Sequence, residues 1–315
     1  MKIKISLLFT LLLVLSGCTS SNEQLEKVTL MLDYTPNTNH TGIYVADKLG
    51  YFEQQGIDLE IIQPSDVATE AVVASGSSQF GISYGENVAM FNSEDDSLRS
   101  IYGILNTNTS GFLSRKDRNI TKPSDFVGKT YCGWGSAIET SLINTLVKED
   151  GGDPSKVNII TASSNLMNKD DECDFVWAYA GWDKINLESN GLEVNYIPFS
   201  DYGVDWYTPV IITSNDYIAT NEETVKAFIE ATQKGYEYAL ENPQESADIL
   251  LEAAPELDSD LVKKSQDFLS PYYRTGDEDF GYQSPQIWSE FTKWLVDNEI
   301  ITEADSTKFY TNDYI

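Results

Sequence analysis

Residues 27–56 read KVTLMLDYTPNTNHTGIYVADKLGYFEQQG. An apolar run from Val28 to Leu32 gives way at Asp33 to a polar and aromatic stretch. Apolar residues then recur at Ile43, Val45, Ala46 and Leu49 before Gly56. This is the pattern of a strand, a polar junction and an amphipathic helix. The junction holds the only histidine of the chain, His40. The same alternation continues outward. IDLEII (57–62), QFGISYG (79–85), RSIYGIL (99–105), GFLSR (111–115), GKTYCGW (128–134), VNIIT (157–161), CDFVWAYA (173–180), EVNYIP (193–198) and TPVIITS (208–214) read as strands. DVATEAVVASG (66–76), ENVAMFNSE (86–94), SAIETSLINTLVKED (136–150), SSNLMNKD (163–170) and WDKINLESNG (182–191) read as helices between them, and the chain is nearly all helical from Glu222 onward. Alternation on this scale predicts an α/β protein of mostly parallel sheets covered by helices. One series covers 27–105 and a second 110–207. The economical arrangement has lobe one formed by 27–107 and 210–315 and lobe two by 108–209. Two crossings then lie near Thr107–Thr109 and Tyr207–Val210.

The N-terminus, MKIKISLLFTLLLVLSGCTSSNEQ, starts with Lys2 and Lys4. It continues with an apolar core, Ile5 to Leu15, too short to span a bilayer comfortably. LSGC, Leu15 to Cys18, closes that core and resembles the lipobox of bacterial lipoproteins. The alternative is an ordinary secretory signal with a chance cysteine. The lipobox reading makes 1–17 a signal peptide and 18–26 a lipid-anchored tether starting at an acylated Cys18. The mature protein then sits outside the cytoplasmic membrane. The formal charge of the whole chain is −29, and loss of Lys2 and Lys4 makes it −31. Such a surface repels nucleic acid, which excludes that class of partner. The roughly 290 remaining residues suffice for one large or two medium domains.

In open α/β sheets ligands bind at the carboxyl ends of strands. Four predicted strands end alike: in DYTPNTNH, in SYGEN (83–87), in CGWGS (132–136) and in WAYAGW (177–182). Each supplies an aromatic ring, three add a nearby carboxylate, amide or hydroxyl, and two come from each lobe. Aromatic faces with a few aimed polar groups suit a flat, polar, mostly uncharged ring. Glu86 or Glu139 is placed to pair with an amino group and the ring nitrogen beside it.

These residues carry a family resemblance. VTLMLDYTPNTNHTGIYVADKLGYFEQQGIDLEIIQPS (28–65) resembles the start of the thiamine-precursor, formylaminopyrimidine-binding lipoproteins of ABC importers. FGISYGENV, NTSGF, YCGWGSAIE, DFVWAYAGW, YTPVIITSN and FLSPYY follow in family order, to about residue 300. The wider group includes the fungal synthases of thiamine's pyrimidine. The resemblance implies a two-lobed periplasmic-binding-protein fold of type 2, closing on a 4-amino-2-methylpyrimidine. It leaves the substituent open among formylaminomethyl, aminomethyl and hydroxymethyl. Thiamine itself or another small aromatic solute is the alternative cargo. It also implies an ABC permease and its ATPase as partners, and a monomer without cofactor or metal. The chain departs from the family at Tyr34, where Trp is usual, and at Ala137, where Pro is usual.

The candidate ligand-binding residues are Tyr34, Asn37, Asn39, His40, Tyr84, Glu86, Thr109, Ser110, Trp134, Gly135, Ser136, Glu139, Tyr179 and Trp182. Several have a structural alternative. His40 either faces the cleft or caps the helix, and the fungal synthases keep a His at the matching place. Asn37 and Asn39 either contact ligand or form an Asx turn. Ser136 and Glu139 fit the S-x-x-E capping box. Gly133 and Gly135 leave the Trp134 ring exposed. Strand alternation separates Trp177 and Tyr179 from Val176 and Ala178. Trp177 is read as core, and Tyr179 and Trp182 as site. Thr109 and Ser110 are hinge residues, ligand contacts, or both. Trp288, Phe291 and Trp294 are read as packing under the terminal helices.

Cys132 lies near the carboxyl end of its predicted strand and Cys173 near the amino end of another. With about 3.3 Å per residue, parallel neighbours of that kind hold the two sulfurs more than about ten ångströms apart. Two free thiols are therefore expected. Enzyme readings fare worse than binding. No G-x-S-x-G elbow, P-loop or G-x-G-x-x-G fingerprint is present. The fungal synthases, whose His and PLP-bearing lysine are consumed as substrates, carry a cysteine-rich iron motif. Around DWYTPVIIT, where it would fall, there is no Cys.

Overall fold

The computed structural model describes residues 25–315 except Thr275 and Glu303. The signal-peptide and lipidation expectations, Cys18 included, fall outside the described residues. The first series gives β1 (Glu26–Met31), α1 (Thr41–Lys48), α2 (Tyr51–Gln54), β2 (Ile57–Ile62), α3 (Thr69–Ala74), β3 (Phe80–Ser83), α4 (Gly85–Glu94) and β4 (Leu98–Gly103). The second gives β5 (Ser110–Arg115), β6 (Thr130–Gly133), α5 (Ala137–Glu149), β7 (Asn158–Thr161), β8 (Phe175–Tyr179), α6 (Ile185–Ser189) and β9 (Val194–Pro198). The chain ends in β10 (Val210–Ser214), α7 (Asn215–Thr220), α8 (Glu222–Glu241), α9 (Pro243–Ala253), α10 (Ser259–Leu269) and α11 (Pro285–Asp297).

Two five-stranded sheets result, ordered β2-β1-β3-β10-β4 and β7-β6-β8-β5-β9. Each is the sheet of one lobe of an α/β protein. β1 pairs in parallel with β2 and β3, and β6 with β7 and β8. β10 is antiparallel to β3 and β4, and β5 to β8 and β9. The sheets are thus mixed, and the parallel expectation holds for four of the five strands in each. The reason is topological. The chain enters each lobe from the other at the end where the parallel strands finish, so β5 and β10 must run away from that end. Apolar side chains of both faces fill two main cores. One holds Leu30, Ile82 and Phe228, and the other Phe112, Leu142 and Phe291. Among the described residues no helix is long and apolar enough to cross a membrane.

Three local expectations are corrected. The helix read over 41–56 breaks between Lys48 and Tyr51 into α1 and α2. The helix read over 163–170 is a series of turns. Asn165 accepts from the Met167 amide at 3.2 Å, Asn168 from the Asp170 amide at 3.1 Å, and Asp171 from the Asn165 amide at 2.6 Å. Short polar side chains there take the amides a helix needs. Cys132 and Cys173 are not free thiols. They form a disulfide with Cα atoms 5.6 Å apart. β6 has only four residues, and Cys132 lies one step from the Tyr131–Phe175 pair. The chain before Phe175 bends at Glu172 and Asp174 instead of running straight, which brings Cys173 beside Cys132.

Candidate functional site

The ends of β1, β3, β6 and β8 surround one cavity of about 470 Å³, within the range of about 300–1,000 Å³ usual for small-molecule sites. From the first lobe it is lined by Asp33, Tyr34, Asn37, Asn39, Tyr84, Glu86, Asn87 and Met90. The second lobe adds Trp134, Ser136, Ile138, Trp177, Tyr179, Trp182 and Asp183, and Pro209 lies at the return crossing.

After β1 the chain makes a short 3₁₀ turn, Thr38–His40, before α1. Asn37 caps it. Its Oδ1 accepts the Asn39 amide at 2.9 Å, and its Nδ2 donates to the Thr35 carbonyl at 3.0 Å. His40 Nδ1 accepts the Asn37 amide at 3.3 Å, and Nε2 bonds to Asp33 Oδ1 at 2.7 Å. His40 is fully buried and does not line the cavity. It stands behind Asp33 and aims that carboxylate. Burial alone raises the Asp33 pKa. The His40 ring and the Tyr84 phenol more than reverse this and hold it below the usual carboxylate range.

β3 runs into α4, whose first turn presents Tyr84, Glu86 and Asn87. Glu86 is buried, and its Oε2 accepts the Trp206 indole N–H at 2.6 Å. Burial pushes its pKa up to about 7 against the lowering effect of that bond, with the Glu70 charge adding to the rise. Burial first, and then the Asp33 and Glu86 carboxylates, push the Tyr84 and Tyr179 phenols well above their ordinary range. Both phenols therefore remain hydrogen-bond donors at neutral pH.

The β6–α5 junction is built around Glu139. Its Oε1 accepts the Tyr131 hydroxyl at 2.6 Å and the Trp134 amide at 3.1 Å. Its Oε2 accepts the Ser136 amide at 2.7 Å and the Ser136 hydroxyl at 3.2 Å. Engaged on both oxygens and outside the cavity lining, Glu139 positions the Trp134 turn through the capping box. A Cβ on Gly133 would sit 1.7 Å from Glu139 Oε1, and Gly135 adopts φ +86°. Gly135 shapes the turn without lining the cavity. Trp134 and, opposite in sequence, Tyr34 are both 58 % exposed, unusual for large rings.

Trp177, read as core, is 8 % exposed yet also lines the cavity, with its ring 5.2 Å from that of Trp134. Beyond β8 the chain forms a π-helical turn, Ala180–Lys184. Asp183 accepts the Tyr179 amide there at 2.8 Å. Trp182 lines the cavity and also packs against the Ala247–Leu250–Val262 cluster of α9 and α10. Ser110 is buried at the start of β5, with its amide on Asn108 Oδ1 at 2.7 Å, and lies outside the cavity. Thr109 lies outside the main cavity too. It borders a gap of about 10 Å³ at the crossing, and its carbonyl accepts the Tyr196 hydroxyl at 2.6 Å.

The structure therefore gathers Tyr34, Asn37, Asn39, Tyr84, Glu86, Trp134, Ser136, Tyr179 and Trp182 around one cavity, and leaves His40, Thr109, Ser110, Gly135 and Glu139 out of its lining. Sequence reasoning missed Asp33, Asn87, Met90, Ile138, Asp183 and Pro209, and read Trp177 as core only. The strand-end rule reaches Asp33 and Asn87. The π-helical turn that brings in Asp183 has no comparable signal. Among the described residues no Lys or Arg lines the cavity, whereas Asp33, Glu86 and Asp183 do. Such a surface accepts N–H donors and stacks rings. It is ill suited to an anion.

The chain is 29 % identical over 305 residues to the formylaminopyrimidine-binding protein of Halalkalibacterium halodurans, covering 92 % of both. It is 25 % identical over 297 residues to the 4-amino-5-hydroxymethyl-2-methylpyrimidine phosphate synthase of Legionella pneumophila, again covering 92 % of both. In fold it resembles the periplasmic aliphatic sulphonate binding protein of Escherichia coli. The TM-score is 0.69 with 10 % identity, over 90 % of this chain and 91 % of that one. Residues 37–246 match the NMT1/THI5-like family, and with the two-lobed periplasmic-binding-protein fold around this cavity the chain belongs to that family.

Proposed function

We propose that this chain is the extracytoplasmic solute-binding component of an ABC importer and captures a thiamine-precursor pyrimidine for salvage. The observation that carries the reading is the cavity wall, where aromatic faces from both lobes meet carboxylate acceptors and no basic side chain. A 4-aminopyrimidine is flat, stacks on indole and phenol rings, and offers an amino N–H₂ beside a ring nitrogen. Glu86 lines the cavity and fits that edge, with Trp206 as the one side chain among the described residues bonded to its carboxylate. Its raised pKa lets the carboxyl and the ring nitrogen share a proton near neutrality. The likeness to a formylaminopyrimidine-binding protein supports the same ligand class.

In this reading 27–107 with 210–315 form lobe one and 108–209 form lobe two, hinged near 107–110 and 207–210. The ligand favours closure only by its preference for the closed state. The closed protein docks on a permease, whose ATPase drives import, while acyl chains on Cys18 keep it at the membrane. The protein works as a monomeric binding protein, without cofactor or turnover. Thiamine itself is the second reading, favoured by an acidic cavity roomy enough for a further cationic ring.

Titration calorimetry of the purified protein with formylaminopyrimidine, hydroxymethylpyrimidine and thiamine tests this. One pyrimidine is expected to bind tightly, and Trp134→Ala and Tyr179→Ala to weaken it at least tenfold. Stacking contacts are worth about 1 kcal/mol or more each beyond area burial, which supports that size. Absence of binding to any of the three, in folded and ligand-free protein, would remove the thiamine assignment.

A further inference from the structure

Beside the main cavity a second chamber of about 170 Å³ opens, sharing Asp33, Tyr84 and Asn87 with it. Its remaining wall comes from the segment 64–70 and the end of β3. At about 30 Å³ for a water in the liquid, that space holds several heavy atoms. Glu70 of α3 lines it and is only 6 % exposed. Its Oε1 accepts the Ser83 hydroxyl and, at 3.2 Å, the Asn87 amide nitrogen. Its Oε2 receives no hydrogen bond from the described residues. Among those residues no Lys or Arg lines the chamber, and the other carboxylate there, Asp33, is already bonded to His40. A carboxylate this buried is costly unless a cation or donors compensate it. Two neutral donors engage one oxygen, and Oε2, which is not enclosed, stays free to accept from an occupant of the space that Glu70 lines.

We infer that this side chamber receives a hydrogen-bond-donating cationic arm, an alkylammonium group, of a ring ligand seated in the main cavity, with Glu70 as its counter-charge. The inference rests on the pyrimidine reading and deepens it. Of the three substituents left open by the sequence, it favours the protonated aminomethyl form over the neutral hydroxymethyl and formylaminomethyl forms. Asp33 and Asn87, which face both spaces, set where the arm turns out of the ring plane.

The test is calorimetric titration of wild type, Glu70→Gln and Val67→Trp with 4-amino-5-aminomethyl-2-methylpyrimidine and its 5-hydroxymethyl counterpart. Val67 lines the chamber and is 55 % exposed, so a larger ring there obstructs the space without disturbing a core. Wild type is expected to prefer the aminomethyl compound at least tenfold, the scale of a charge-assisted hydrogen bond. Both variants should abolish that preference. An unchanged affinity ratio in both variants would overturn the chamber while leaving the pyrimidine reading in place. Binding of neither compound by wild type would overturn the chamber, and the pyrimidine reading falls with it only if formylaminopyrimidine and thiamine also fail to bind.

Discussion

Burial and an indole pull on Glu86 in opposite directions. Burial wins, and the pKa reaches about 7 from an ordinary 4.5. Between those values the native protein keeps a proton that the unfolded chain has released, so stability falls as pH rises through this window. The shift corresponds to at most about 3 kcal/mol, at 1.36 kcal/mol per unit. Glu86→Gln removes the ionisation and still offers an oxygen to Trp206. Its melting temperature should match that of wild type near pH 5 and exceed it near pH 8, as thermal melts across pH will show. A constant difference at all pH values would mean that Glu86 does not carry the titration. His40 teaches a related point at this scale. Its sequence position marks the right junction, but the hydrogen bonds of Asn37 and Asp33 decide which side chain reaches the cavity. Those bonds turn His40 inward and Asp33 outward. Spacing along a strand end fixes location to within a turn, and no finer.

Among the elements, the β6–α5 junction is the most heavily built. Glu139 binds it from one side, and the disulfide ties Cys132, two residues before Trp134, to the approach of β8. The bridge closes a loop with a sequence separation of 41, which in the chain-entropy account is worth about 4 kcal/mol. Cys132→Ala/Cys173→Ala should therefore lose about 2–4 kcal/mol in urea unfolding, and unchanged stability would show that the bridge adds nothing. The elements themselves were largely legible, because strand–helix alternation is a direct consequence of which faces are buried. The disulfide was not. It depends on the bends at Glu172 and Asp174, which leave no periodic trace in CDFVWAYA. The turns over 163–170 escape the sequence for a similar reason, since Asn165 and Asn168 compete with the backbone for amides that apolar spacing alone assigns to a helix. The insertion of β5 and β10 against the sheet direction is equally silent, because a strand's sequence does not state which way it runs.

Across the whole molecule the two sheets are joined by more than their two crossings. α10 packs on the 3₁₀ turn after β1 and on the π-helical turn and α6 after β8. Buried Ser265 donates to the Gly181 carbonyl and accepts from the Thr38 hydroxyl, which links the two walls of the cavity on the side of Trp182. Leu269 abuts Gly181 so closely that a Cβ there would meet its side chain at 2.7 Å. Ser265→Ala should speed both ligand entry and ligand release in stopped-flow tryptophan fluorescence, by about fivefold or more if each lost hydrogen bond is worth about 1 kcal/mol. Equal rates in wild type and variant would place the barrier elsewhere.

The Ser265 bridge changes what kind of machine the cleft is. A pair of lobes on two free strands drifts open by thermal motion and samples every angle. A pair that also carries a small catch must break it to open, so its mean opening rate falls and its closed state lasts longer on average. That average lifetime is tuned by one serine outside the cavity lining. In the proposed importer role, a longer-lived closed state would give the loaded protein more time to reach a permease.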